Sequence, residues 1–276
     1  MKVFITGIES FLGSFLVKSL SEKNIVFSGI DLEKKNIFTT KIDLNDQDLK
    51  EMIPKNSDSV IHLAAISSTK DFETDVKKGY KVNIDGTINL IKASIEKNVR
   101  QIIFASSEWV YGEKNFEKKN ESTPIEYESL SSEYSLSKAI CENILKYYCS
   151  LYKINCTILR FGIIYGPRTN KNNWSAVESI LYEMYLGKKI TVGSKKTARR
   201  FIYAEDVIAG IISSIGRNGI EVFNLTGDKL ITLENIFETG CKILNIKSEM
   251  IENNPNNYNI RDADNQLIKK KTGWIP

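Results

Sequence analysis

The chain has one histidine and four cysteines among its 276 residues. His62 leaves no second imidazole for a histidine-based zinc site. Cys141, Cys149, Cys156 and Cys241 contain no C-x-x-C pair, so no metal centre is expected and the thiols read as reduced and mostly structural. No stretch approaches the roughly 20 consecutive apolar residues that cross a bilayer, and the apolar strand pattern starts within a few residues of the N-terminus. A soluble, cytoplasmic protein with no membrane partner is the expectation. Charge of one sign is also scarce: 38 Lys and Arg face 34 Asp and Glu, a net charge of +4. The lysines are interspersed with acids and form no basic stripe, so no nucleic-acid partner is expected; part of the excess is available to a phosphorylated ligand.

What is present suits a sizeable folded core: 42% of residues are hydrophobic and 26% charged. The runs KVFIT, IVFSGID, SVIHLAA, QIIFASS and NCTILRFG are short, apolar and rich in β-branched residues. The segments between them are long enough for crossover helices, which predicts a parallel sheet in an alternating βαβ fold. Helical spacing places Phe11, Phe15, Leu16 and Leu20 on one face, Ile88, Ile91 and Ile95 on another, and Ile140, Ile144, Leu145, Tyr148 and Leu151 on a third. A further helix fits WSAVESILYEMYLG, ended by Gly187. After residue 165 the alternation loosens and the elements shorten, and ENNPNNYN reads as an exposed loop. The fold class is therefore α/β, a Rossmann-type doubly wound parallel sheet over residues 1–165. A smaller substrate-binding region over 166–276 is expected to return segments to that sheet.

TGIESFLG, from Thr6 to Gly13, follows the first strand. A dinucleotide loop needs glycines where the chain leaves the strand, passes a pyrophosphate and packs a helix on the sheet. Gly7 and Gly13 hold the outer positions of a G-x-x-G-x-x-G spacing, but the middle one is Ser10. If the backbone there required positive φ, Ser10 would cost about 1 kcal/mol; if not, its hydroxyl is free to meet a phosphate oxygen. Asp31 ends the second strand about 20 residues on, where an acid bonds the ribose hydroxyls and repels a 2′-phosphate, favouring NAD over NADP. In YSLSK, Tyr134 and Lys138 stand four apart on one helix face. A tyrosine of ordinary pKa about 10 is a poor base at neutral pH; a neighbouring ammonium and an oxidised nicotinamide lower it toward proton exchange with an alcohol.

Taken in order, TGIESFLG, Asp31, Asp43 and Leu44 in KIDL, IHLAA, VNIDGTINLIKA, FASSEWVYG, YSLSK, LRFGIIYGPR, RRFIYAEDV, FNLTG and the terminal GWIP resemble an extended short-chain dehydrogenase/reductase of the NAD-dependent sugar-nucleotide epimerase/dehydratase family. The resemblance covers nearly the whole chain. It implies NAD on Gly7, Ser10, Phe11, Leu12, Gly13 and Asp31, with Asp43 and Leu44 flanking the adenine, Leu63, Ala64 and Ala65 lining the cleft, and Asn83 anchoring a helix near the cofactor. It implies Ser107, Tyr134 and Lys138 as the catalytic set, the last two also touching the nicotinamide ribose. Arg199 would meet the diphosphate of a nucleotide-sugar substrate, and Arg168 and Arg261 are further candidates. His62, inside HLAA, reads as a packed structural residue. A homodimer through a four-helix bundle is also implied, one partner's helices after Asn83 and around Tyr134 packing on the same pair.

Three departures limit the likeness. Besides Ser10, the acid pair that sugar 4,6-dehydratases of the family carry after the active-site Ser or Thr is here Glu108 and Trp109, so dehydration is disfavoured; Glu108 stays open between a substrate contact and a loop cap. Ile163 stands where epimerases commonly have an asparagine, and a trimmed C-terminal substrate portion is expected, which together put a standard UDP-galactose site in doubt. The expected activity is NAD-dependent epimerisation at C4 of a nucleotide-activated sugar through a 4-keto intermediate. The alternatives are an NAD(P)-dependent sugar-nucleotide 4-dehydrogenase or ketoreductase, and a non-catalytic dinucleotide-binding regulatory module, which would tend to lose the Tyr134/Lys138 pair.

Overall fold

The computed structural model describes residues 1–113, 117–168 and 170–276. The five apolar runs all become strands: β1 (Lys2–Thr6), β2 (Val26–Asp31), β4 (Ser59–His62), β5 (Gln101–Ser107) and β6 (Asn155–Phe161). Two more, β3 (Thr39–Lys41) and β7 (Ile220–Leu225), complete a seven-stranded sheet in the order β7-β6-β5-β4-β1-β2-β3. Every neighbouring pair is parallel. β7 lies after residue 165 in the chain and still pairs along its whole length with β6.

The pleat sends alternate residues to opposite faces, and each face has its own core. Ile103 and Ala105 of β5 and Leu159 and Phe161 of β6 face a cluster with Leu16 and Leu20 of α1 (Phe11–Glu22). Ile102, Phe104, Cys156 and Ile158 face the other way, onto Ile91 of α2 (Gly86–Glu96) and Cys141, Leu145 and Cys149 of α3 (Glu133–Tyr152). α3 begins in a capping box, Ser132 with Ser135, and stops at Lys153 in the left-handed conformation, φ +57°.

The buried stripe of α3 differs from the one read off its periodicity. Lys138, Cys141, Leu145 and Cys149 are buried, whereas Ile140, Ile144 and Tyr148 are half-buried and Leu151 is 55% exposed. The helix carries two apolar stripes, and spacing alone does not say which one meets the sheet.

Beyond the sheet, α4 (Ala176–Tyr185) packs on α5 (Leu233–Leu244) around Ile180, Met184 and Ile236, joined by Ile190 and Met250 from a parallel pair of three-residue strands. The chain ends on the first cluster: Ile268 and Trp274 are buried against it, and the Trp274 indole donates to the Asp206 carbonyl. Among the described residues no helix is long and apolar enough to cross a membrane, and no group of three or more His, Cys, Asp or Glu could hold a metal.

Candidate active site

The strand order reverses at β1, so the loops after β1 and β4 part and leave a crevice at the carboxyl edge of the sheet, where open α/β sheets bind ligands. Gly7 turns there at φ +73°, and a Cβ on it would lie 2.7 Å from the Ala64 nitrogen. The amides of Leu63 and Ala64 donate to the Thr6 carbonyl, which holds the Leu63–Ala64–Ala65 segment against the turn. A Cβ on Gly13 would lie 2.4 Å from the carbonyl oxygens of Gly7 and Ile8, so this glycine is what lets α1 sit down on the loop. Ser10 has φ −65° and ψ 170°, ordinary extended backbone, so the strain considered above does not arise. Its hydroxyl caps α1, accepting from the Gly13 amide at 3.0 Å. Phe11 and Leu12 open the helix beside it.

Asp31 faces the same loop: one carboxylate oxygen accepts from the Glu9 amide at 2.9 Å and the other from Leu32 at 2.8 Å. Glu9, not singled out by its sequence context, clamps the segment after β2 by accepting from the Lys35 and Asn36 amides and the Thr39 hydroxyl. Burial would raise its pKa, but these donors outweigh burial and lower it. Asp43 is exposed and turns the chain by accepting from the Asn45 amide, while Leu44 is buried beneath α2. Asn83 lies in a π-helical turn, Lys81–Asp85, and ties three pieces together: its oxygen accepts from the Ile66 amide, and its nitrogen donates to the Ile66 carbonyl and the Ser137 hydroxyl. A turn with no room for a Cβ, a helix start and an acid at the end of β2 are the features an adenine dinucleotide needs, so these residues fit NAD.

β5 ends at Ser107 and α3 brings Tyr134 and Lys138 beside it. The Ser107 hydroxyl is hydrogen-bonded to the Tyr134 phenol. The Lys138 ammonium donates to the Ala105 carbonyl at 2.7 Å and lies 4.7 Å from the Phe104 ring centroid and 5.9 Å from that of Tyr134. Burial pulls Lys138 down to about 8. Burial also pushes Tyr134 up to about 12, opposed only by Ser107. That is opposite to the lowering expected from Lys138, and the reason is geometric: the ammonium is committed to Ala105 on the β5 side of the ring.

The arginines sort into two places. The short strands Ala198–Arg199 and Ile260–Arg261 run parallel with Arg199 directly opposite Arg261, which brings together two guanidiniums 62 positions apart in the chain. Arg199 donates to the carbonyls of Ala198 and Asn259, and burial followed by repulsion from Arg261 lowers it to about 10. Arg261 stacks on the Trp109 ring, 3.9 Å from guanidinium carbon to centroid, and pairs with Glu113. Trp109 meets the Tyr134 ring edge-on at 6.5 Å. Arg168 is elsewhere, stacked on Phe11 at 4.1 Å and bonded to the carbonyls of Ile164 and Asn173. Glu108, next to Ser107, is buried and faces Arg261 and Arg199.

Beneath the site runs a buried polar chain that the motifs did not reveal. Arg160 grips Glu142 with two hydrogen bonds, Glu142 accepts from Ser106 at 2.6 Å, and Arg160 lies over the Tyr111 ring, whose hydroxyl donates to Asn224 at 2.7 Å. It fixes α3 to β5, β6 and β7. A run of strand residues offers no sign that Arg160 points inward; only pairing with an acid on α3 makes that burial tolerable.

The family model for the NAD dependent epimerase/dehydratase family matches residues 3–225. Over 99% of its length the chain is 30% identical to a Methanocaldococcus jannaschii protein assigned as a UDP-glucose 4-epimerase, of which it covers 93%. It is 28% identical over its full length to UDP-glucuronic acid decarboxylase 3 of Arabidopsis thaliana, covering 84% of that chain. A crystal structure of UDP-glucose 4-epimerase from Thermotoga maritima with UDP-glucose superposes with a TM-score of 0.88 at 25% identity, covering 100% of this chain and 94% of the other. With the Gly7 turn, Asp31 and the Ser107, Tyr134, Lys138 set on one crevice, the chain belongs to the NAD dependent epimerase/dehydratase family.

Proposed function

We propose that this protein is an NAD-dependent 4-epimerase of uridine diphosphate sugars. The observation that carries the reading is that α3 brings Tyr134 and Lys138 beside Ser107 at the end of β5, while Trp109, two residues on, meets both the Tyr134 ring and the Arg261 guanidinium. The Gly7 turn and Asp31 would hold NAD, which would supply the hydride acceptor and donor for C4 and, when oxidised, a positive charge that lowers the phenol's pKa. Tyr134 takes the proton of the C4 hydroxyl as that carbon becomes a ketone, and gives it back to the same oxygen when the sugar has turned its other face. Ser107 steadies that oxygen and the phenolate with its hydroxyl. Lys138, held by Ala105, places its charge at the ribose side of the site. Arg199 and Arg261 hold the diphosphate, so the sugar can rotate about its link to the nucleotide without leaving. Leu63 to Ala65, Asp43 and Leu44 line the cofactor side, and residues 166–276, apart from β7, form most of the sugar-nucleotide side.

A cytoplasmic location suits free, largely buried cysteines, and nucleotide sugars are donors for carbohydrate biosynthesis. Pairing of two copies through α2 and α3 is supported by the apolar residues that α3 leaves uncovered, Tyr147 at 64% and Leu151 at 55% exposure. The activity is tested by incubating the NAD-loaded protein with UDP-galactose and following UDP-glucose. Tyr134→Phe is expected to cut turnover by roughly a hundredfold or more while UDP still binds; turnover by the variant at the wild-type rate would refute the mechanism.

A further inference from the structure

Glu108 is used by none of the steps above. It is 1% exposed, it begins the single turn Glu108–Tyr111 that follows Ser107, and neither of its carboxyl oxygens has a hydrogen-bond partner. Buried carboxyls are seldom left so. Among the described residues no group takes up its hydrogen-bonding capacity. A cavity of about 10 Å³, lined by Glu108, Tyr111, Gly112, Arg261 and Ala263 among others, reaches it; that is room for one group the size of a hydroxyl or a water. Its place in the site is set by its neighbours. Ser107 precedes it in the chain, Trp109 after it touches both Tyr134 and Arg261, and Arg261 and Arg199 are near enough to act on its charge. In a hexose joined to a diphosphate at C1 and oxidised at C4, those two carbons are opposite corners of the ring. A sugar that reaches both ends of the site therefore lies along Glu108.

We propose that Glu108 determines sugar specificity: its carboxyl hydrogen-bonds a hydroxyl of the hexose, and its negative charge excludes a hexuronic acid from the same subsite. This rests on the reading of Arg199 and Arg261 as the diphosphate site. The charges around Glu108 are largely paired. Arg261 pairs with Glu113 and Arg200 with Asp262, while Arg199 donates to backbone carbonyls alone among its hydrogen bonds. Glu117 and Lys119 also line the cavity. Burial raises Glu108 to about 7 against the opposing pull of Arg261 and Arg199, and a diphosphate that neutralises those two cations raises it further. Tyr111, pushed up to about 12, stays neutral over the same range; Tyr134 is the reacting phenol beside Ser107, and Lys138, at about 8, is on the Ala105 side. Discrimination against a uronic acid should therefore be strongest in alkaline solution and relax as Glu108 takes up a proton.

Calorimetric titration of the NAD-loaded protein with UDP, UDP-glucose and UDP-glucuronic acid at pH 6 and 8.5 tests this, on the wild type and on Glu108→Gln. The wild type is expected to bind UDP-glucose at least tenfold more tightly than UDP-glucuronic acid at pH 8.5, with the gap shrinking severalfold at pH 6. In Glu108→Gln the gap should fall to within threefold at both pH values. Should the variant not fold, the pH dependence of the wild type decides alone. Equal affinity for the two sugars in the wild type, a preference for the uronic acid, or a gap that neither pH nor the variant changes would overturn the inference while leaving the diphosphate reading intact. If UDP itself fails to bind, or binds equally well to Arg261→Ala, the diphosphate reading fails and takes this inference with it.

Discussion

His62 sits on β4 with each ring nitrogen facing a hydroxyl: Nδ1 is 2.7 Å from Thr6 and Nε2 3.1 Å from Thr87. It is a packed core residue, and burial, with repulsion from Lys138, pushes it down to about 3. An unfolded histidine titrates near 6.5, so between about pH 6.5 and 3 the unfolded chain carries a proton that the folded one refuses. Stability should fall with falling pH over that window, by up to about 1.4 kcal/mol per pH unit. Glu108 acts in the opposite sense: raised to about 7, its contribution is full at low pH and lost as pH rises through 7. The two are separated by comparing the wild type with His62→Gln, since the chain has no other histidine. Urea denaturation at pH 6.5 and pH 5 should show the wild type losing about 2 kcal/mol more than the variant; parallel losses would contradict a neutral buried imidazole.

At the scale of elements, position along the sheet decides what a side chain can do. The Glu142–Arg160 pair joins α3 to β6 directly behind the residues that carry Tyr134 and Ser107. Removing the acid leaves a buried guanidinium without its counter-ion, which typically costs about 3–5 kcal/mol. Glu142→Ala should lose that much stability in urea denaturation; a loss below about 1 kcal/mol would show that the pair is not what fixes the helix. Elements like these also mark how far the sequence could be read. β1, β2, β4, β5 and β6 were legible because each is an apolar run between turn residues, Gly7, Asp31 and Ser107 because each stands at the end of such a run, and Tyr134 with Lys138 because they stand four apart on a helix. The Arg199/Arg261 pairing depends on the register of two-residue strands, and Glu142 with Arg160 on a helix docking angle; neither leaves a local trace. β3, only three residues long, has too little pattern to stand out. Which stripe of α3 meets the sheet was not legible because both are apolar, and only the sheet beneath decides between them.

For the molecule as a whole, the outer stripe of α3 is a surface that one copy leaves partly uncovered, with Tyr147 and Leu151 exposed. Ile140, Ile144, Tyr147 and Leu151 step along one side of the helix, next to α2 with its half-buried Ile88 and Ile95. Sedimentation at micromolar concentration should give a dimer, and the double change Tyr147→Lys, Leu151→Lys should shift it to monomer; a monomeric wild type would refute the pairing. The dinucleotide turn follows the first strand of the seven-stranded sheet, whereas the arginine pair lies on a separate small sheet from the last third of the chain, so the account stands or falls on chemistry that needs both. The most direct test supplies UDP-galactose deuterated at C4 to the NAD-loaded protein in ordinary water and examines the UDP-glucose formed. The account predicts product that keeps its deuterium at C4, because hydrogen leaves and returns to the same carbon without meeting solvent. UDP-glucose with the label washed out, or none formed at all, would contradict it.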